Sequence, residues 1–156
     1  MNFFHLFILV ATMLIMEFAV MLFHKHVMHG IGWGWHRSHH LPHESATWEA
    51  NDLYAVVFTV LTILLFAFGS KHAALWWSAL GITFYGLLYA ILHDVLIHRR
   101  VRIKWRPTNR YLQRLTKAHH LHHAVKTRDG GVSFGFLYTP PVESIRRQLR
   151  SKVRKT

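Results

Sequence analysis

Two clusters of histidine could do chemistry in this chain. "HHLHH" at residues 119–123 places four imidazoles in five positions, and "HRSHH" at residues 36–40 places three. Each belongs to a longer, repeated order. An H-x4-H pair (His24, His29) precedes an H-x2-H-H run (His36, His39, His40), and the second half repeats this with His93, His98 and then His119, His122, His123. The chain has 15 histidines and no cysteine, so a metal site must be built from His, Asp, Glu and backbone, with disulfides and iron–sulfur clusters excluded. Imidazole serves Zn, Fe, Cu and Ni alike. Positions i, i+3 and i+4 of an α-helix share a face, so H-x2-H-H aims three imidazoles into one space. The H-x4-H pair differs, because i and i+5 lie about 140° apart on a regular helix. It fits a helix end that unwinds, or ligands that reach around to separate metals. Ten histidines are too many for one zinc and suit two ions with four or five imidazoles each.

Three further histidines lie close by. His26 and His120 sit three residues before His29 and His123, and His43 follows Pro42; all three read as solvated at an interface. Few acids are available to support ligands. Glu17, seven residues before His24, lies inside an apolar run, where a carboxylate is costly and a functional role is the default; it could orient His24 or another ligand through a ring N–H. Glu49 and Asp52 share a face, and Asp94 follows His93. Each reads equally well as a ligand support or as a helix cap.

The elements that must position these groups are apolar. Residues 3–23, 53–69 and 73–92 are runs long enough to cross a bilayer, and the first carries neither the basic flank nor the cleavage site of a signal peptide. Helices of a soluble bundle show a polar stripe; here the second and third runs are apolar nearly all round. The fold class expected is all-α, a multi-pass membrane helical bundle over 1–156 as a single domain. Of 19 Lys and Arg, only Lys25, Arg37 and Lys71 precede residue 99. The positive-inside rule therefore puts residues 24–52 and 93–156 in the cytoplasm, with every clustered histidine on that side and His5 and His72 on the other. This logic explains the formal charge of +12 without nucleic acid. Metal transporters place ligands mid-membrane, unlike the one-sided arrangement here. "RDGGVSFGFLYTPP" (128–141) reads as turn and extended chain lying over something, and residues 143–156 as a short basic amphipathic helix or a frayed tail.

The runs "HKHVMHG", "GWGWHRSHH", "NDLYAVVF", "YGLLYAILHDVLIHRR", "HHLHHAV" and "VSFGFLYTPP" resemble the bacterial β-carotene hydroxylases, within the fatty-acid hydroxylase superfamily of membrane di-iron proteins. The resemblance runs from about Met16 to Val142. It implies that His24, His29, His36, His39, His40, His93, His98, His119, His122 and His123 bind two iron ions (Fe2+), and that O2 is the co-substrate. It also implies hydroxylation at C3 of each β-ionone ring, from β-carotene through β-cryptoxanthin to zeaxanthin. The carotenoid would enter from the bilayer of the cell membrane. Electrons must come from outside, since no flavin or nicotinamide fingerprint is present, and an acidic ferredoxin suits the basic face. A fatty-acyl or sterol hydroxylase on the same scaffold is the alternative, and a non-enzymatic membrane metal-binding protein the other.

Overall fold

The apolar runs become helices whose outward faces are greasy and whose inward faces hold the polar groups. In the computed structural model, which describes residues 2–41, 48–101 and 103–153, the order is α1 (Phe3–Phe23), π1 (His24–Ile31), α2 (Trp33–His40), α3 (Asp52–Gly69), α4 (Ala73–Tyr89), π2 (Ala90–Ile97), α5 (Arg110–His123) and α6 (Val142–Val153). No strand occurs among the described residues. His43 lies outside them. Three stretches are long and apolar enough to cross a membrane: Phe3–Ile31, Asp52–Gly69 and Ala73–Ile97. Phe3, Phe7, Leu14, Ile15 and Phe18 of α1 are exposed, while Glu17, Tyr54 and Tyr85 are buried. That is the distribution expected where hydrocarbon replaces water as solvent.

The first and third spans run longer than hydropathy suggests. Each continues past its apolar run as a segment hydrogen-bonded from residue i to i+5, as in Gly32 N–H to Val27 O (2.8 Å) and His98 N–H to His93 O (2.8 Å). Such wider turns are rare and recur at functional sites. The "GIGWGW" stretch forms the end of π1, a single turn at Gly32 and the start of α2. Tyr54 ties this corner down, its hydroxyl donating to Gly32 O (2.8 Å).

α4 is the central span, packed against both α1 and α3. Gly81 allows its close crossing with α1, since a Cβ there would stand 2.8 Å from the Leu9 carbonyl and 2.9 Å from Thr12 Cβ. Beyond the spans, α5 and α6 pair through Ala118 and Ile145, both fully buried, with Val132, Leu121 and Leu149 around them. The tail expected as a helix or a frayed end is therefore a helix with a docked face. Asn109 starts α5 by accepting from Tyr111 N–H (2.8 Å), as a side-chain cap does.

The α1–α4 crossing generates one prediction. Gly81→Val should overpack it, at a cost of about 1–3 kcal/mol, and lower the melting temperature of the detergent-solubilised protein. Gly86→Ala, where an added Cβ meets nothing within 4 Å, should not. Equal melting temperatures for the two variants would contradict the crossing.

Candidate metal centre

The ten histidines of the repeated pattern gather at one end of the bundle in two adjoining clusters. In the first, ligand atoms of His24, His29, His36, His40 and His122 all lie within 4.8 Å of one another; in the second, those of His39, His98, His119 and His123 do. His93 completes the second, with its Nε2 3.0 Å from Nε2 of His39 and its ring centroid 4.5 Å from that of His98. His26 and His120 are exposed. His5 lies at the opposite end of α1, its ring stacked on Trp77 at 5.0 Å, and His72 is at the start of α4.

This division corrects the expectation that H-x2-H-H serves one space. Residues i and i+4 of an α-helix differ by about 40° in direction, whereas i+3 lies about 100° from i+4. His36 and His40 accordingly enter the first cluster, while His39, between them, enters the second. α5 does the reverse: His119 and His123 enter the second, and His122 crosses into the first. Each half of the chain thus supplies four imidazoles to one cluster and lends its middle histidine to the other. The H-x4-H puzzle is resolved by π1 and π2. A turn that closes at i+5 brings residue i+5 nearly over residue i, so His24 pairs with His29 and His93 with His98 on one face.

Seven of the rings are fixed by their Nδ1 atoms. His24 donates to Phe134 O (3.1 Å), His29 to Arg128 O (2.9 Å), His40 to Val125 O (2.8 Å) and His122 to Val132 O (2.8 Å). His36 donates to Asn51 Oδ1 (2.7 Å), His39 to Glu49 Oε2 (2.7 Å) and His93 to Asp94 Oδ1 (2.7 Å). Carbonyl and carboxylate oxygens only accept, so each of these rings carries a proton on Nδ1, and in the neutral form its Nε2 lone pair is free. Those lone pairs face one another: His24 to His36 at 3.0 Å, His40 to His36 at 3.1 Å, His29 to His122 at 3.2 Å and His39 to His93 at 3.0 Å. No proton is left to bridge them. His123 Nε2 is buried without a hydrogen-bond partner. Two nitrogens bound at right angles to one ion by bonds of about 2.1 Å stand about 3.0 Å apart. The donor set fits first-row transition metals held by nitrogen in both clusters.

The electrostatics favour the neutral, ligating form. Outside the spans, burial, reinforced by neighbouring imidazoles, pushes His36 and His98 down to about 3 and His40 to about 4. Burial likewise holds His39, His119, His122 and His123 well below the ordinary histidine range.

The acids have distinct jobs. Glu49 accepts from His39 and also pairs with Arg100 (2.9 Å), and Asp94 accepts from His93. Among the described residues Asp52 reaches no histidine; it pairs with Arg100 (2.8 Å) and accepts from Glu49 N–H (2.9 Å). Glu17 does not touch His24 either, because seven residues of helix separate them by about 10 Å. Its Oε1 accepts from the backbone N–H groups of Phe136, Leu137 and Tyr138 (2.8, 2.8 and 2.9 Å), and its Oε2 from Tyr85 hydroxyl (2.9 Å). Glu17 therefore holds down the segment whose Phe134 carbonyl orients His24. That segment passes over the first cluster, with the Phe134 ring 5.5 Å from His24, 5.2 Å from His29 and 5.4 Å from His122. A Cβ on Gly131 would stand 2.8 Å from the Phe134 ring. Asn51, Arg100, Phe134 and the accepting carbonyls were not singled out from sequence. Asn51 alone carried a signal, as an amide beside Asp52.

Comparison with known proteins agrees with this architecture. A family model described as fatty acid hydroxylase matches residues 9–141. The chain is 52% identical over 145 residues to a beta-carotene hydroxylase of Paracoccus sp. (strain PC1), covering 92% of this chain and 89% of that one. It is 49% identical over 146 residues to a beta-carotene hydroxylase of Pantoea ananas, covering 93% and 83%. It is 39% identical over 132 residues to a chloroplastic beta-carotene 3-hydroxylase of Haematococcus lacustris, covering 80% of this chain and 40% of that one. No solved structure matches it. A helical chain with three apolar spans, two histidine clusters and a family match over most of its length belongs to the fatty acid hydroxylase family.

Proposed function

We propose that this protein is a membrane monooxygenase that hydroxylates C3 of the β-ionone rings of carotenoids, converting β-carotene to β-cryptoxanthin and then to zeaxanthin. The observation that carries this is identity of about half, over nearly the whole chain, with beta-carotene hydroxylases of several bacteria. The ten histidines hold two iron ions, five imidazoles to each. Bound iron supplies the means of activating O2 against an unactivated C–H bond, which no side chain can do. The reaction balances as substrate, O2, two electrons and two protons giving the alcohol and one water.

The chain's own residues set the conditions for that chemistry. Seven Nδ1 hydrogen bonds fix the rings before any ion arrives, so little reorganisation accompanies binding. Phe134 covers the first cluster, and Trp33 lies 5.2 Å from His29 and 5.4 Å from His40; together they keep water from one side. The face beyond the spans carries most of the Lys and Arg and receives an acidic one-electron donor of the ferredoxin type. The chain works as one domain in the cell membrane, with the clusters on the cytoplasmic side.

Three outcomes follow. Cells that accumulate β-carotene and express this chain should form zeaxanthin. Alanine at His39 or His122 should cut that by a hundredfold or more, roughly the upper end for loss of a ligand's support, whereas alanine at His26 or His120 should leave it near wild type. Unchanged pigment together with new hydroxylated acyl chains would assign the chain to another branch of its family. Reporter fusions after residue 50 and at the C-terminus should both read as cytoplasmic; a periplasmic signal from either would refute the orientation. The third outcome concerns pH. His36, His40 and His98 titrate near 3–4 when folded and near 6.5 unfolded, so the unfolded chain binds more protons below 6.5. Stability is complete above that value and shrinks as pH falls toward 3–4. Metal content and melting temperature should therefore fall together between pH 7 and 4; constant values across that window would contradict the neutral, ligating rings.

A further inference from the structure

A cavity of about 580 Å³ lies between α1, α3 and α4, and its upper end is closed by Asn51, Tyr54, Tyr89, His93 and Asp94. Along α3 and the residue that precedes it, the lining runs from Asn51 to Phe66, fifteen residue steps or about 22 Å of helix. That volume drawn out along α3 makes an elongated slot rather than a round chamber. Val20, Phe58, Ile63, Phe66 and Ile82 make its walls apolar. No residue of α2, α5 or α6 reaches it. α1 and α3 meet where the Phe23 ring packs edge-on against Tyr54 (5.6 Å) and Phe58 (5.2 Å). Away from that contact α1 and α3 each pack on α4 rather than on each other, which leaves the slot an opening toward the bilayer between these two spans.

Of the ten clustered histidines, only His93 lines the slot. Phe134 and Trp33 cover one side of the first cluster and none of its histidines lines the slot, whereas the second cluster reaches it through His93, on which the Tyr89 ring stacks (4.6 Å). We infer that the slot is the carotenoid site: the polyene lies in it along the helix axes with one ring at the His93 cluster, and the rest of the molecule, which is longer than the slot, runs out past Phe66. This rests on the function proposed above. It assigns the two clusters different positions, one facing substrate and one turned away. It also requires the singly hydroxylated product to leave before its second ring can react, because a rod lying parallel to the spans presents one end at a time. A rod longer than the slot cannot turn end over end within it.

Gly86 lines the slot, and a Cβ there would meet nothing within 4 Å, so a larger side chain can fill it without forcing the helices apart. Detergent-solubilised protein loaded with zinc, which cannot turn over, should retain β-carotene through size-exclusion chromatography. Gly86→Leu should retain at least tenfold less, with metal content unchanged, and Gly86→Ala close to the wild-type amount. If Gly86→Leu disturbs folding, Ala55→Leu narrows the same slot from α3 and carries the test. β-Carotene retention and hydroxylation at wild-type levels in a folded narrowed variant would overturn the assignment. Retention that depends on Gly86 in a protein that hydroxylates nothing would support the slot and refute the proposed reaction. During turnover of labelled β-carotene, excess unlabelled β-cryptoxanthin should dilute the label in zeaxanthin; undiluted label would overturn release between steps.

Discussion

Imidazoles crowded together with their Nδ1 protons already committed create the constraint on which the rest of this structure depends. At 3.0–3.2 Å, four Nε2–Nε2 pairs set lone pair against lone pair with no hydrogen to share. Several buried polar atoms without partners would each cost on the order of 1–3 kcal/mol, and burial prevents relief by protonation, as the lowered values of His36 and His40 record. On the proposed function, a cation in each cluster would turn that repulsion into ligation, and the fold would be a preformed site whose stability is linked to its ions.

The surrounding features supply the oxygens that hold those protons in place. Four acceptors are carbonyls of residues 125–134, a segment with little regular structure that lies against the first cluster. Backbone N–H groups at that depth need partners of their own, and Glu17 provides them for residues 136–138. An intramembrane acid and an irregular loop thus satisfy each other. The result fixes Phe134, and Phe134 fixes His24. On the other side, Arg100 joins Glu49 to Asp52, so the support of His39 also closes the exit of π2 onto the start of α3. α6 secures the loop from beyond, with Lys152 donating to Gly131 O (2.7 Å).

Much of this could be anticipated from residue types. The apolar runs mark where the three spanning stretches begin, although the first and third run on eight and five residues further, and the doubled spacing of histidines picks out the ten that gather in the two clusters. Two things were hidden for definite reasons. A helical-wheel argument treats i+3 and i+4 as one face, so it cannot see that His39 and His122 cross between clusters; that depends on how α2 and α5 face each other. Support from backbone carbonyls has no sequence signature at all, which is why Glu17 looked like a direct partner of His24 instead of the anchor of the loop that is. The π-helical turns fall between these cases: the awkward H-x4-H spacing announced that a regular helix could not serve, without naming what would.

The central claim is that the chain holds two ions, each in an all-imidazole shell shared between its halves. It is tested most directly by counting iron and its neighbours. Protein purified without oxygen and loaded with Fe(II) should carry two irons per chain, and X-ray absorption should find a nearest shell of about five nitrogens around each, as two clusters of five histidines require. One iron per chain, or a shell rich in carboxylate oxygen, would contradict it.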